Sequence, residues 1–177
     1  MTLLEKLVAL HKTLVAADIP HAFGGALALA WCTEAARATI DIDVNLFVDA
    51  ELADEVFGAL PSAVGTPAKA LAELKRDTQI RLWWDTTPVD IFLNSTPFHE
   101  EVSQRVRWET LAGCHLPFLC CNDLAVFKAF FNRTKDWADI EEMHSAGTLD
   151  RRFVISVLSE YLGADDERVA RLQALAD

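Results

Sequence analysis

Ile40-Asp41-Ile42-Asp43-Val44-Asn45-Leu46-Phe47-Val48 is the stretch that decides the fold. Side chains on a β-strand alternate between its two faces. Ile40, Ile42, Val44, Leu46 and Val48 therefore predict one apolar face, turned to a core along the whole stretch. Asp41, Asp43 and Asn45 fall on the other face, with the two carboxylates roughly 6–7 Å apart, two strand rises. Aspartate is a poor strand former, and like charges on adjacent same-face positions repel. A divalent cation held between them would remove that repulsion.

Upstream, Thr2 to about Ala16 has helical spacing, with Leu4, Leu7, Val8, Leu14 and Val15 on one stripe and Thr2/Glu5 at capping-box distance. His11 shares the stripe and reads as a core or boundary histidine. His21-Ala22-Phe23 predicts a short strand, and the apolar run from Ala26 to about Glu34 predicts a buried helix. Gly24-Gly25 lies where that strand hands over to the helix N-terminus. Backbone amides, the positive end of the dipole and the missing side chains suit a phosphate there.

Downstream, Asp49 caps a helix through Leu60, 62–67 is a loop, and 68–75 is a short helix. Thr78–Trp84 and Pro88–Leu93 form a hairpin about Asp85-Thr86-Thr87. Trp84 reads as a core residue and Trp83 as its exposed neighbour. In the returning strand Val89, Ile91 and Leu93 point one way and Asp90 the other. A second strand thus carries a carboxylate opposite an apolar face. A helix follows at 100–104, then strands at 106–110 and 115–119. Asn122 is the expected cap of a helix to about Phe131, whose apolar stripe includes Lys128. A lysine there either snorkels to the rim or meets an anion. Asp136 and Asp139 share a face with Ile140 and Met143, again placing charge where core is expected. Two further helices, about 151–161 and 166–175, complete the chain.

With 177 residues, 51% of them hydrophobic, the chain suffices for one compact unit. Residues 1–120 are expected to form an α/β core and 121–177 a helical portion packed on it. A net charge of −11 argues against a general nucleic-acid surface, so no DNA partner is expected. No apolar run reaches membrane-span length and no signal-peptide pattern opens the chain, so no membrane partner is expected. Cys32, Cys114, Cys120 and Cys121 include no CxxC pair and, even with His115, match no structural zinc spacing. They favour reduced thiols in a cytoplasmic protein.

Three carboxylates on two strands beside a glycine turn suit Mg²⁺, a hard cation that takes carboxylate and phosphate oxygens. Taken in order, Gly24-Gly25, then Arg37-Ala38-Thr39-Ile40-Asp41-Ile42-Asp43, then Val89-Asp90-Ile91 resemble the signature of the nucleotidyltransferase (polymerase-β-like) superfamily. Lys128 and Arg133-Thr134-Lys135-Asp136-Trp137-Ala138-Asp139-Ile140 are similar to the third motif of its AbiEii-type toxin branch. The resemblance covers about residues 20–145.

It implies an α+β fold, a mixed sheet flanked by helices, and transfer of a nucleoside monophosphate from an NTP such as ATP with release of pyrophosphate. It also implies two Mg²⁺ ions on Asp41, Asp43 and Asp90, with nucleotide contacts from Gly24, Gly25, Arg37 and Thr39. Lys128 and Asp139 match functional positions of the toxin branch. The residues themselves leave Lys128, Asp136 and Asp139 open to a second role, an ion-pair network joining two helices. The implied acceptor is an RNA such as tRNA or a protein, as for a toxin with a cognate antitoxin. One rival reading is a transferase acting on a small cationic molecule of aminoglycoside type, which an acidic cleft would attract. The other is a non-catalytic nucleotide- or partner-binding protein of the same fold.

Overall fold

A computed structural model describes residues 1–35, 37–111 and 113–175. The chain divides into two units, the first formed by 1–27 with 38–119 and the second by 28–37 with 120–177.

The first unit is built on a seven-stranded mixed sheet. Its strands are β1 (His21–Phe23), β2 (Ile42–Leu46), β3 (Val64–Gly65), β4 (Gln79–Trp84), β5 (Thr87–Phe92), β6 (Arg107–Leu111) and β7 (Cys114–Phe118), in the order β3-β4-β5-β2-β1-β7-β6. Pairing is parallel for β2 with β5 and β1 with β7, and antiparallel elsewhere. The unit's helices are α1 (Leu3–Ala16), α3 (Ala53–Ala59, after a 3₁₀ turn at Ala50–Leu52), α4 (Ala70–Asp77) and α5 (Pro97–Ser103). Helix α2 (Gly25–Thr33) begins in this unit and continues into the second.

Alternation works as the sequence predicts where a strand has neighbours. Ile42, Val44 and Leu46 of β2, Val89 and Ile91 of β5, and Leu82 and Trp84 of β4 are all buried, whereas Trp83 is exposed. Helix α1 adds Leu7, Leu10 and Leu14 to that core, and its Thr2/Glu5 capping box is formed. The apolar face is shorter than expected, however: Ile40 is 68% exposed. Strand β2 starts at Ile42, level with Val89, and Ile40 precedes any pairing partner. A strand buries a side chain only where the sheet continues around it.

Lys6 carries no mark in the sequence pattern, yet it is buried. Its Nζ donates to the Trp84 carbonyl at 2.7 Å and to Thr87 Oγ1 at 3.1 Å, and lies 3.1 Å from the Asp85 carboxylate. One buried cation thereby fixes the β4–β5 turn, tightened to two residues because Thr87 is already in β5.

His11 and His21 are buried together, His11 Nδ1 lying 2.9 Å from His21 Nε2. Burial pulls the His21 imidazole down to about 4, against a partial upward pull from the Ile19 carbonyl, and burial also lowers His11. The unfolded chain holds a proton on His21 below about pH 6.5, and the folded chain takes it up only near pH 4. Stability is therefore fully present above pH 6.5 and falls as pH drops from there toward 4, by about 3 kcal/mol in all for this residue. Urea unfolding of His21→Phe against the parent is expected to show a flatter pH dependence in that window. An unchanged slope would contradict the assignment.

The second unit holds the later part of α2 with α6 (Cys121–Phe131), α7 (Thr134–Ser145), α8 (Arg151–Leu162) and α9 (Glu167–Gln173). Trp137, Ile140, Met143, Val154, Leu158 and Leu172 are buried in it, and the Trp137 indole donates to Asn132 at 2.7 Å. No helix among the described residues is long and apolar enough to cross a membrane.

Three further expectations are corrected. The 62–67 loop contains β3, whose two residues pair with Trp83 and Trp84 at the sheet edge. Asn122 lies inside α6 rather than capping it; the cap is Cys120, and the Asn122 amide oxygen accepts from the Asp150 backbone. The thiols are not all reduced, because Cys32 of α2 and Cys121 of α6 form a disulfide across 89 residues of sequence. Spacing alone cannot show a contact that the tertiary fold creates. Cys120 stays free, donates to Asp123 and, chiefly through burial, has its thiol pushed up to about 11.

Candidate functional site

The site in the first unit follows from strand register. β2 and β5 run parallel with Asp43 opposite Asp90, and β4 and β5 run antiparallel with Asp90 opposite Arg81. One row across three adjacent strands thus reads Asp43, Asp90, Arg81 on the face opposite the Ile42–Val89–Leu82 core. Asp41 precedes β2 and its side chain is about one-third exposed. The Thr39 hydroxyl accepts from the Asp41 amide at 3.2 Å, so Thr39 orients the chain entering the strand.

The glycine turn is fitted to Asp43. The Gly24 amide donates to the Asp43 carbonyl at 2.9 Å. Gly25 has φ +54°, and a Cβ there would stand 1.9 Å from Asp43 Oδ2. A Cβ on Gly24 would come within 3.2 Å of both the Asn45 amide nitrogen and Leu119. Only glycine at position 25 combines the left-handed backbone with room for that carboxylate. The Asp43 side chain consequently rests against the N-terminus of α2, where the helix dipole favours negative charge.

Arg81 is the residue that sequence reasoning missed. Its Nε donates to Asp90 Oδ1 at 2.7 Å and its Nη2 to Asp90 Oδ2 at 2.6 Å, while Nη2 lies 3.8 Å from Asp41 Oδ2. The bond to Asp90 raises the guanidinium above its ordinary value, aided by the charges of Asp90, Asp41 and Asp43 and opposed by desolvation. The signal was present in the hairpin: a two-residue turn after Trp84 pairs 84 with 87, and therefore 81 with 90.

In the second unit the other candidates meet as an ion-pair network. Lys128 Nζ, on α6, donates to Asp139 Oδ2 at 2.6 Å and lies 3.8 Å from Asp136 Oδ1, both on α7. Asp136 also accepts from Arg133 Nε at 2.6 Å, and Arg37 bonds to Asp139 and Glu142. Lys128, Asp136 and Asp139 are buried, while the Arg37 side chain is 46% exposed. Strong pairing accounts for charge on an otherwise apolar face.

Carboxylate oxygens are the ligands a hard divalent cation takes, so Asp41, Asp43 and Asp90 fit Mg²⁺ in chemical type. Among the described residues no group of three His, Cys, Asp or Glu side chains forms a ready-made metal cage.

No family model matches the sequence, and no curated protein matches it either. Among solved structures, the chain is similar to the antibiotic-resistance factor ANT(2'')-Ia, at TM-score 0.56 and 13% identity over 97% of this chain and 89% of that one. It is also similar to an antigenic nucleotidyltransferase-like protein from Paracoccidioides brasiliensis, at TM-score 0.53 and 14% identity over 97% and 85%. The mixed seven-stranded sheet with its flanking helices is thus a nucleotidyltransferase-like fold.

Proposed function

We propose that this protein is a nucleotidyltransferase that moves a nucleoside monophosphate from an NTP to an acceptor, releasing pyrophosphate. The observation that carries the reading is the seat of Asp43: its carboxylate packs on the Gly25 backbone at a helix N-terminus, in register with Asp90. A carboxylate beside a glycine turn at a helix N-terminus and a second carboxylate on the next strand are groups that triphosphate chemistry uses together.

In this reading Asp41, Asp43 and Asp90 would hold Mg²⁺, which when bound supplies charge neutralisation at the phosphates and the leaving pyrophosphate. The Gly24-Gly25 turn holds phosphate oxygens, and Thr39 positions Asp41 through the amide hydrogen bond. Asp90 is also the candidate to accept the acceptor's proton. The resemblance implies functional roles for Lys128 and Asp139, which in the second unit pair with each other, Asp139 also pairing with Arg37.

For the acceptor, the charge of −11 favours a small cationic molecule over RNA, because an acidic surface attracts the first and repels the second. The antibiotic-resistance factor of the same fold agrees with that choice. The toxin reading, with RNA or protein as acceptor and an antitoxin as partner, rests on the match of Lys128 and Asp139 to the toxin branch.

Incubation with labelled NTPs, Mg²⁺, and separate pools of tRNA, protein and aminoglycosides tests both. Label on the aminoglycoside pool alone is the expected result, and label on tRNA or protein supports the toxin reading. Asp43→Asn is expected to lower transfer by at least about 100-fold. Transfer at the parent's rate in this variant, or no transfer to any pool, contradicts the catalytic assignment.

A further inference from the structure

Trp83 lies on the face that carries Asp90. Along β4, Gln79, Arg81 and Trp83 are exposed while Leu82 and Trp84 are buried, so Trp83 shares a face with Arg81, two strand rises away. Its cross-strand partners are Pro88 on β5 and Gly65 on β3. Asp90 follows Pro88 by two residues on the same face, which makes Trp83 and Asp90 diagonal neighbours about 7–8 Å apart. Gly65 has no side chain to cover the other flank of the indole. The indole is 52% exposed and, among the described residues, makes no ring contact and no side-chain hydrogen bond.

The direction of the proposed reaction makes this the acceptor side. The glycine turn follows β1, on one side of β2, whereas β5 and β4 lie on the other. Pyrophosphate leaving at the turn requires the attacking hydroxyl to enter in line from the opposite side, over β5 and β4. Its oxygen bonds to the α-phosphorus as the bond to pyrophosphate breaks, and its proton passes to Asp90. We propose, building on the nucleotidyltransferase reading, that Trp83 is the platform on which the acceptor lies, and that this acceptor is a cationic aminosugar. A sugar ring presents C–H groups that pack flat on an indole, and tryptophan is the best aromatic partner for an ammonium. Asp41, Asp43 and Asp90 all act on the single Arg81 guanidinium, so carboxylates outnumber it and the surroundings favour a cation. A linear polyamine has the charge but no ring to stack, and a nucleobase has the ring but not the charge.

Calorimetric titration with kanamycin, a cationic aminosugar, and spermine, a linear polyamine, separates ring stacking from charge. Kanamycin is expected to bind Trp83→Ala about tenfold more weakly than the parent. Trp83→Phe keeps part of the stack and should lose about threefold, which preserves the test if the alanine variant unfolds. Spermine is expected to bind all three proteins alike. Parent-like kanamycin affinity in both variants, no kanamycin binding to the parent, or an equal loss for spermine overturns the inference. The α,β-methylene analogue of ATP, titrated at saturating Mg²⁺, tests the underlying reading separately. If it binds the parent and Asp43→Asn weakens it, failure with kanamycin removes only the role of Trp83. If it does not bind the parent, the nucleotidyltransferase reading falls and the acceptor platform falls with it.

Discussion

Gly25→Ala is expected to abolish nucleotide transfer, by about a thousandfold, while leaving most of the fold intact. Two independent costs meet at this position. The backbone sits at φ +54°, where a side chain adds of order 1 kcal/mol of strain. The new methyl would also lie 1.9 Å from Asp43 Oδ2, far inside contact distance, so the carboxylate must move. The Asp43 carboxylate can clear that methyl only by rotating off its seat on α2. A displacement of about 1 Å at a reacting centre already costs roughly 100-fold, and here the phosphate turn is altered as well. Circular dichroism should show native secondary structure, with unfolding free energy lower by about 1–3 kcal/mol. Transfer within tenfold of the parent would show that neither the turn nor the Asp43 seat takes part in the reaction.

Lys128→Met should produce the largest loss of stability, about 3 kcal/mol by urea unfolding. Removing the ammonium leaves Asp139 and Asp136 buried with reduced compensation. Asp139 keeps the half-exposed Arg37 and Asp136 keeps Arg133, which holds the loss at the lower end for a broken buried pair. Converting Asp139 to Asn in the same chain should restore part of the loss, since the stranded charge is then gone. Arg37→Met, at a side chain 46% exposed, should cost less than about 1 kcal/mol. A Lys128→Met loss below that of Arg37→Met would contradict the network. The same variant separates the two roles open to Lys128. If transfer falls at temperatures where it remains folded, the residue acts in the reaction as well as in the ion pair; if transfer is kept, the ion pair is its whole role.

These two sites show what was legible in the sequence. Period-two alternation identified the buried face from Ile42 to Leu46 and the strand carrying Asp90, because each lies inside the sheet and is covered on one side. Ile40 broke the pattern because sheet pairing begins two residues later, and alternation says nothing about where neighbours stop. Glycine followed by glycine marked a turn, but the reason only glycine fits at position 25 is a side chain eighteen residues away, visible only once β2 lies beside the turn. The partnership of Arg81 with Asp90 needed register, which the tight hairpin supplied and residue-by-residue patterning did not use. The Cys32–Cys121 disulfide lay furthest from reach, since a sequence separation of 89 leaves no local mark of it. Local periodicity identifies elements and faces, whereas pairings set by tertiary closure emerge only from the assembled chain.

Amide ¹⁵N shifts, recorded while the protein is titrated with Mg²⁺ and the α,β-methylene analogue of ATP, test the central claim most directly. The account predicts that the first and largest perturbations fall on Gly24 and Gly25, followed by Asp43 and Asp90. Saturable binding that leaves Gly24 and Gly25 unmoved, or no binding at millimolar analogue, would contradict it.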